Sequence, residues 1–407
     1  MTAAPGAPRR PRLRLEGITR PAWILSLVSF FTDLSSEMVY PIIPLFLTVT
    51  LGAPAVAVGI VEGVAEATAN GTRLVAGRWA DRAGSRKPFV VAGYGLAVVG
   101  KFLIAIAPVW PFALVGRATD RFGKGIRSAP RDALLADFTE AKYRGRVFGF
   151  HRAMDSLGAV GGPLIGLALL WAFPGRLRDI IFMALVPGVV AVFVLRWLPE
   201  HRKESVSSED EDGRPQGKLP GRFYVLLAIT TLFMAGNSSD AFLILRSKDL
   251  GLATTAVILA YVVYNAVYAS ASLPAGIISD RIPRAWVLTV GYAVFAAVYT
   301  GFALTSSSWA VWPLFAVYGF YIALTDGVSK ALVADMAPKE LRSTAQGLYS
   351  GVAGIAALGA SVAAGVLWDT VSPRAPFVLG ATCGVLAAIL LAVVTLVRPG
   401  GRPVAAG

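Results

Sequence analysis

Cysteine, histidine and charged residues are all scarce in this chain of 407 residues. The single cysteine, Cys383, excludes an intramolecular disulfide and has no partner for a cysteine-based metal motif. The sequence contains no metal-spaced histidine pair, no phosphate-binding loop and no nucleophile elbow. We therefore expect no metal, no cofactor and no enzymatic activity. Without a nucleotide-binding domain, ATP-driven transport by this chain alone is not expected either.

Charged residues make up only 15% of the chain, whereas 55% of it is hydrophobic. A soluble protein would have about a quarter of its residues charged. Crossing a bilayer core about 30 Å thick takes roughly 20 apolar residues in a helix. The sequence therefore predicts an all-α integral membrane protein with twelve transmembrane helices. The predicted spans are 22–48, 55–77, 88–108, 110–133, 146–172, 179–198, 222–246, 253–277, 285–305, 309–333, 343–367 and 375–397.

The formal net charge of +13 would suit a nucleic-acid-binding protein. However, most of the 38 Lys and Arg residues fall in segments that the predicted spans place on one side. Lys and Arg favour the cytoplasmic side of a membrane protein, so the charge is read as a topology signal. We expect a multi-pass monomer in the lipid bilayer of the cell (inner or plasma) membrane, with both termini cytoplasmic and no nucleic acid partner.

A hydrophilic segment divides the chain near its middle. Residues 199–221 include the acidic run 209–212 and have the composition of a flexible linker. We expect an N-terminal six-helix bundle at 1–198, a cytoplasmic linker at 199–221 and a C-terminal six-helix bundle at 222–407.

The two halves resemble each other at an offset of about 200 residues. A parallel repeat of this kind predicts two pseudo-symmetric six-helix bundles with a solute site between them, near the membrane midplane. Four motifs recur in the same order: Ser35-Ser36-Glu37 with Ser238-Ser239-Asp240, Asp81-Arg82 with Asp280-Arg281, 133–137 with 331–335, and Arg144 and Gly149 with Arg342 and Gly347.

The segment from Gly77 to Pro88 resembles the loop signature of the major facilitator superfamily, with a glycine, an Asp-Arg pair, a second glycine and a basic cluster. The resemblance covers essentially the whole chain and implies a cytoplasmic gate of charged pairs that holds the halves closed on that side. The alternative is a static role in topology and solubility. The gate residues that it implies are Gly77, Asp81, Arg82, Asp137, Arg144, Asp280, Arg281, Asp335 and Arg342.

A glycine stripe in span 5 resembles the motif of drug/proton antiporters, although Leu167 replaces its usual final glycine. Glycines four residues apart also make a smooth helix face, so the stripe predicts close helix packing, and a proline permits a bend. The predicted packing residues are Gly149, Gly158, Gly162, Pro163 and Gly166.

Several charged residues fall inside the predicted spans, where each costs at least about 2.5–3.5 kcal/mol at the bilayer centre. Arg117 to Asp120 also resembles the intramembrane arginine motif of proton-coupled members, with Arg121 where a glycine is common. A carboxylate in an apolar cavity can exchange protons near neutral pH, which predicts a proton relay. The alternative is a set of permanent buried ion pairs. The predicted proton-coupling residues are Asp33, Glu37, Arg117, Asp120, Arg121 and Asp155.

The second half has fewer charges and more amphipathic aromatic residues in its spans. A cavity lined by aromatic rings with a few polar groups suits an amphipathic organic solute, although such stripes also serve helix packing. Asn237 and Asp240 are included as the repeat equivalents of the span 1 acids. The predicted substrate-binding residues are Glu66, Lys101, Asn237, Asp240, Tyr261, Tyr264, Asn265, Tyr268, Tyr321 and Asp326.

These features favour a secondary active transporter that exports a small organic molecule in exchange for protons by alternating access. Its partners would be the small-molecule solute, protons and the lipid bilayer. An uptake symporter for a small organic anion is the alternative, suggested by the basic residues Lys101, Arg117, Arg121 and Lys124. A further alternative is a membrane sensor of the same fold that binds a soluble partner through the linker.

Overall fold

The computed structural model describes residues 18–83, 85–140, 143–199, 219–338 and 341–397, so most of the predicted linker lies outside it. The helices are α1 (Arg20–Val39), α2 (Ile43–Leu45), α3 (Ala55–Arg82), α4 (Lys87–Ile106), α5 (Trp110–Asp137), α6 (Arg144–Ala172), α7 (Leu177–Met183), α8 (Leu185–Val194), α9 (Gly221–Gly236), α10 (Ala241–Asp249), α11 (Thr254–Arg281), α12 (Arg284–Leu304), α13 (Val311–Met336), α14 (Arg342–Thr370) and α15 (Ala375–Val397). A π-helical turn at Phe46–Thr50 extends α2.

Ten helical segments in the described ranges are long and apolar enough to cross a membrane. Together they include every helix except α3 and α5, which are 28 residues long each. At 1.5 Å per residue, each of these two helices extends about 42 Å, enough to cross a bilayer. Their apolar content is lower because they hold much of the intramembrane charge, and they pack against each other and against the apolar helices.

The helices pack in two sets. In the first set, α1 packs on α6 and α8, and α5 packs on α3 and α4. In the second set, α13 packs on α11 and α12, and α15 packs on α9 and α12. Helix α14 of the second set lies along α3, and α11 lies along α6, so these two pairs join the sets. Space between the sets is therefore bounded by α3 and α14 on one side and by α6 and α11 on the other.

Hydrogen bonds between helix ends identify the two faces of the molecule. The Thr19 hydroxyl before α1 donates to the Phe138 carbonyl after α5, and Lys87 Nζ at the start of α4 donates to the Leu198 carbonyl. This face, which we call the linker face, is the one that the sequence predicts to be cytoplasmic. At the opposite face, Arg178 donates to the carbonyls of Ala105 and Ala107 at the end of α4.

The two sets are closed against each other at the opposite face. Asp369 near the end of α14 accepts hydrogen bonds from the backbone N–H groups of Ala55 and Val56 at 3.1 and 2.7 Å. A carboxylate at a helix N-terminus satisfies free N–H groups and interacts favourably with the helix dipole. Glycines let the backbones approach closely, because a Cβ at Gly59 would overlap the Ser361 carbonyl.

Two predicted continuous spans are interrupted. Helix α1 ends at Val39, and Pro41, which has no backbone N–H, follows in a turn before α2. Helix α9 ends at Gly236, and residues 237–240 separate it from α10. Glu37 therefore lies within a helix, whereas Asp240 lies at the end of a break. The two acids therefore occupy different local positions, because similar triplets do not determine where each span breaks.

We predict that Gly59→Ala lowers the melting temperature of the purified protein in detergent. The added methyl group meets the α14 backbone, and overpacking of this kind typically costs about 1–3 kcal/mol. Gly71→Ala on the same helix is the matched control, because its Cβ would meet nothing within 4 Å. We expect that substitution to be neutral or stabilising, since alanine favours a helix over glycine by roughly 0.5–1 kcal/mol. Equal shifts for both variants would contradict the tight α3–α14 contact.

Candidate functional site

A cavity of about 370 Å³ lies between the two sets of helices. Its walls come from α1, α3 and α5 of the first set and from α9, α12, α13 and α14 of the second. Of the predicted substrate-binding residues, Glu66, Asn237, Asp240, Tyr321 and Asp326 line it. Its other polar and aromatic lining residues include Tyr40, Glu62, Asn70, Arg121, Phe233, Tyr292, Tyr318 and Lys330.

The cavity is accessible from the linker face. Asp326 and Lys330, which form an ion pair on α13, have side chains that are 47% and 57% exposed. Glu66 is exposed as well, although it lies near the middle of α3. The Asp369 contact and the α3–α14 seam close the other end. The structure is thus open toward the predicted cytoplasmic side and closed on the opposite side.

A cluster of buried charges forms the wall of the cavity in the first set of helices. Arg117 of α5 makes two hydrogen bonds to Glu62 of α3, with Nε–Oε1 at 3.0 Å and NH2–Oε2 at 2.8 Å. Asp120 accepts from Lys101 Nζ at 3.2 Å. The four side chains are at most 7% exposed. Such geometry offsets the cost of removing charges from water, since both partners are hydrogen-bonded.

Asp120 connects the remaining bases to this charge cluster, which we define as Glu62, Lys101, Arg117, Asp120 and Arg121. Its Oδ2 lies 3.7 Å from Arg117 NH1 and 3.9 Å from Arg121 Nε. Lys101, which the sequence predicts to bind substrate, does not line the cavity, because its side chain is 3% exposed and is paired with Asp120. Acids therefore pair with Lys101 and Arg117, two of the four bases that suggested an anion site, and Asp120 also lies near Arg121.

Asp240 lies among tyrosines on the opposite wall. It accepts a hydrogen bond from the Tyr318 hydroxyl at 2.7 Å and a longer one from the Tyr264 hydroxyl at 3.5 Å. The rings of Tyr264 and Tyr318 are 5.4 Å apart, and Asn237 Nδ2 donates to the Tyr321 hydroxyl at 3.0 Å. This wall combines one carboxylate with several aromatic faces. That combination suits a positively charged ligand with a flat apolar body.

Tyr40 connects the two walls and was absent from the sequence-based site. Its ring stacks on Tyr261 at 5.6 Å, and the guanidinium carbons of Arg117 and Arg121 lie 5.5 and 6.0 Å from its centroid. The Tyr261 hydroxyl in turn donates to Glu37 at 3.2 Å. Tyr40 reaches this position because α1 stops one residue before it, and Pro41 in the sequence was the available signal for that break.

Several acids near the cavity have no base at ion-pair distance. Among the described side chains, no Lys, Arg or His nitrogen lies within 4.0 Å of Asp33, Glu37, Glu66 or Asp240. Asn70 is the one described side chain that donates a hydrogen bond to Glu66, at 2.9 Å, and Glu66 acts electrostatically on Asp240. Lys124 of α5 is close enough to interact electrostatically with Asp33, Glu37 and Glu66. The bases of the site are mostly paired, whereas these acids are not.

The glycine stripe of α6 packs directly on the acid stripe of α1. A Cβ at Gly158 would lie 2.6 Å from the Phe30 carbonyl, and one at Gly162 would lie 2.7 Å from the Leu34 carbonyl. Gly166 faces Met38 in the same way at 3.0 Å, and Pro163 lies within the helix between them. Gly149 does not share this role, because a Cβ there would meet nothing within 4 Å. The close seam extends only over the second half of α6.

The predicted gate residues that can be described form pairs within each set. Asp137 pairs with Arg86, and Asp335 pairs with Arg284, each across 51 residues of sequence. Arg342 donates to the Ala334 carbonyl, and Arg281 is exposed at the end of α11. These contacts connect neighbouring helices of one set and do not bridge the sets. Five other predicted gate positions lie outside the side chains that the structure describes: Gly77, Asp81, Arg82, Arg144 and Asp280.

The remaining predicted substrate residues stand behind the cavity wall. Asn265 donates to the Tyr261 carbonyl one turn earlier, and Tyr268 donates to Asp326 at 3.3 Å. Tyr261, Tyr264, Asn265 and Tyr268 of α11 do not line the cavity themselves, although two of them hold its carboxylates. Within the described ranges, no three His, Cys, Asp or Glu side chains gather as metal ligands would.

Comparisons with known proteins agree with this architecture. A family model described as Major Facilitator Superfamily matches residues 25–246 and 225–407. An MFS-type transporter of Methanocaldococcus jannaschii is 35% identical over 381 residues, covering 92% of this chain and 94% of the relative. The multidrug resistance protein MdtH of Yersinia enterocolitica is 29% identical over 217 residues, 52% of each chain. The crystal structure of the nucleoside transporter NupG superimposes with a TM-score of 0.74 at 13% identity, covering 92% of this chain and 99% of that one, which shows the fold alone.

We predict that Glu62→Gln destabilises the protein by about 3 kcal/mol, because it leaves the buried Arg117 guanidinium without its main counter-charge. Asp326→Asn is the matched control, since it removes the acid of the exposed pair with Lys330. Exposed pairs contribute about 0–1 kcal/mol, so we expect little change from the control. Thermal unfolding in detergent measures both, and a loss as small for Glu62→Gln as for Asp326→Asn would contradict the structural role of the charge cluster.

Proposed function

The chain belongs to the Major Facilitator Superfamily of transporters, and we propose that it exports an amphipathic organic cation in exchange for protons by alternating access. Membership rests on the family model, which spans nearly the whole chain, and on the relative that is 35% identical. The protein is therefore a multi-pass membrane transporter and not an enzyme. Our proposal concerns the class of solute, the coupling of its transport to protons and the direction of transport.

In the proposed arrangement, α3 and α5 cross the bilayer together with the ten apolar segments. This gives twelve spans in two six-helix halves, 1–198 and 222–407, connected by the linker at 199–221. The lengths of α3 and α5 and their packing among the apolar helices support this arrangement. The concentration of Lys and Arg on the linker face supports a cytoplasmic location for that face and for both termini, in the cell membrane.

The observation that carries the solute class is the difference in pairing between acids and bases around the cavity. Arg117 and Lys101 are held by Glu62 and Asp120, whereas Glu66 and Asp240 face the cavity without a cation at ion-pair distance among the described residues. A cation placed between these acids would also meet the faces of Tyr318 and Tyr321. Cation–π contacts contribute about 0.5–2 kcal/mol each, depending on desolvation.

The same pairing argues for exchange with protons. An acid that binds a cation must lose its proton first, so solute and proton compete for one charge. Moving one cation out while protons move in keeps the acids near the midplane neutralised in both directions, which avoids the cost of bare charge in the bilayer. The partial similarity to a multidrug resistance protein supports export of such solutes. Uptake of an anion would have to rely on Arg121, because Arg117 and Lys101 are paired with acids.

We predict that the purified protein in liposomes accumulates radiolabelled tetraphenylphosphonium when the lumen is acidic relative to the outside. Protons leave as the cation enters, so a protonophore abolishes the accumulation. Asp240→Asn should lower the initial rate about tenfold, because losing roughly 1.4 kcal/mol of charge interaction has that effect. Tyr224→Phe is a control outside the cavity, since Tyr224 is 50% exposed on α9.

Protein-free liposomes correct for passive entry of the probe. Accumulation that ignores the pH gradient would contradict proton exchange. Accumulation of benzoate under an inward proton gradient, without any for tetraphenylphosphonium, would favour the anion symporter instead.

A further inference from the structure

The seam between α1 and α6 contains a row of titratable side chains that lies apart from the solute cavity. Glu37 and Asp33 are on α1, and Asp155 and His151 are on α6. Among the described residues, the cavity lining includes none from α6 and neither of these α1 acids. The mechanism proposed above uses protons but gives them no path of their own to the linker face.

The row is ordered by depth, because both helices start at the linker face and run in the same direction. Ser26 meets His151 near the start of the seam, and Leu34 meets Gly162 further in. At 1.5 Å per residue, His151 is about 10 Å and Asp155 about 16 Å from the start of α6. Asp33 and Glu37 are about 20 and 25 Å from the start of α1. The four groups therefore lead from the level of the cavity toward the linker face.

The glycine stripe brings the two helices close enough for these groups to approach one another. A Cβ at Gly158 would lie 3.1 Å from the Asp33 Cβ, and one at Gly162 would lie 2.8 Å from the Glu37 Cβ. Asp33 consequently lies against α6 within one turn of Asp155, and Asp155 acts electrostatically on it. At the end of the row farthest from the linker face, Glu37 accepts a hydrogen bond from the Tyr261 hydroxyl, and the Tyr261 ring stacks on the cavity residue Tyr40.

Two facing atoms in this row have no hydrogen-bond partner in the described part of the chain. They are His151 Nε2 and Asp155 Oδ1, both buried and 3.7 Å apart. The other ring nitrogen of His151, Nδ1, is 3.3 Å from the Ser26 hydroxyl. The other carboxylate oxygen of Asp155, Oδ2, lies 3.9 Å from NH1 of the exposed Arg152. Buried polar atoms are nearly always paired, so a carboxylate oxygen and an imidazole nitrogen that face each other without a hydrogen bond call for an explanation. A proton shared or passed between them supplies one.

Other charged groups surround the row from α5 and from α6 itself. Lys124, Arg127 and Arg131 of α5 act on Asp33, and Arg131 also donates to the Ser29 hydroxyl at 2.8 Å. Arg131 and Asp132 of α5 and Arg152 of α6 act on His151. The row therefore lies beside three bases of α5 and one of α6.

We propose that the α1–α6 seam is the path by which protons reach the linker face, and that Asp155 and His151 form the end of the path nearest that face. A proton bound to the Asp33 carboxyl passes to the Asp155 carboxylate, then to His151 Nε2, and from there to water, so that no bond between heavy atoms changes. This inference rests on the proposed proton exchange. A separate path allows protons to leave while a solute occupies the cavity that opens on the same face.

The test separates solute movement from proton movement in liposomes. Asp155→Asn and His151→Gln are compared with wild type in two assays. One is the exchange of labelled for unlabelled tetraphenylphosphonium at equal pH, and the other is the proton flux that the same probe elicits, read by an enclosed pH-sensitive dye. We expect exchange within about twofold of wild type and proton flux at least about tenfold lower, since a positioned proton-transfer group typically contributes that much or more. Asp179→Asn, an exposed acid at the opposite face, should change neither.

Each other outcome has a distinct meaning. Normal proton flux in both seam variants overturns the path while the proposed exchange stands. Absence of probe-elicited proton flux in wild type overturns the proposed exchange itself. Loss of both activities in a variant with a wild-type melting temperature assigns the pair to the solute step and also overturns the path. Should a variant fail to fold, Ser26→Ala removes only the Nδ1 contact, and an unchanged pH profile of proton flux would then count against His151.

Discussion

The rest of the site depends on one interaction, the buried pairing of Glu62 with Arg117 and of Asp120 with Lys101. Unpaired charges in the middle of a bilayer cost several kcal/mol each, and these four side chains lie almost entirely out of solvent contact. The pairing allows α5, with its many charged residues, to pack between α3 and α4. It also removes these bases from competition for the acids of the cavity, so that Glu66 and Asp240 remain available to a solute.

Glycine is the second constraint, because it sets how closely the helices that carry these charges approach. At the opposite face, Gly59 and Gly365 bring α3 and α14 into backbone contact, and Asp369 completes the closure by accepting from the start of α3. Along α1 and α6, Gly158 and Gly162 bring the two α1 acids against the neighbouring helix. In both seams a side chain would separate backbones that now touch. The same residue type thus supports a closed end in one place and a row of acids in another.

The two walls of the cavity differ in how they accommodate charge. The first set of helices contains most of the buried charge, held by ion pairs, whereas the second set surrounds a single acid, Asp240, with tyrosines. Tyr40 lies between the two walls and contacts both: Arg117 and Arg121 of the first wall lie near its ring, and Tyr261 of the second set of helices stacks on it. The breaks between α1 and α2 and between α9 and α10 lie at this level, which is where discontinuous helices in transporters commonly bind their solutes.

Much of the fold could be predicted from the sequence, because long apolar runs and clusters of Lys and Arg are local signals of a membrane span and its orientation. The spacing of Asp33 and Glu37, and of Gly158 and Gly162, likewise follows from helical periodicity. Which distant side chains form ion pairs is not a local property of the sequence. From the sequence alone, Arg117 and Lys101 could therefore bind either a solute anion or a buried acid. Only the packing of α3 against α5 decided that Glu62 binds Arg117, and only the seam between α1 and α6 decided that Ser26 contacts His151. These contacts join residues 55 and 125 positions apart in the sequence, and they depend on how closely whole helices approach one another.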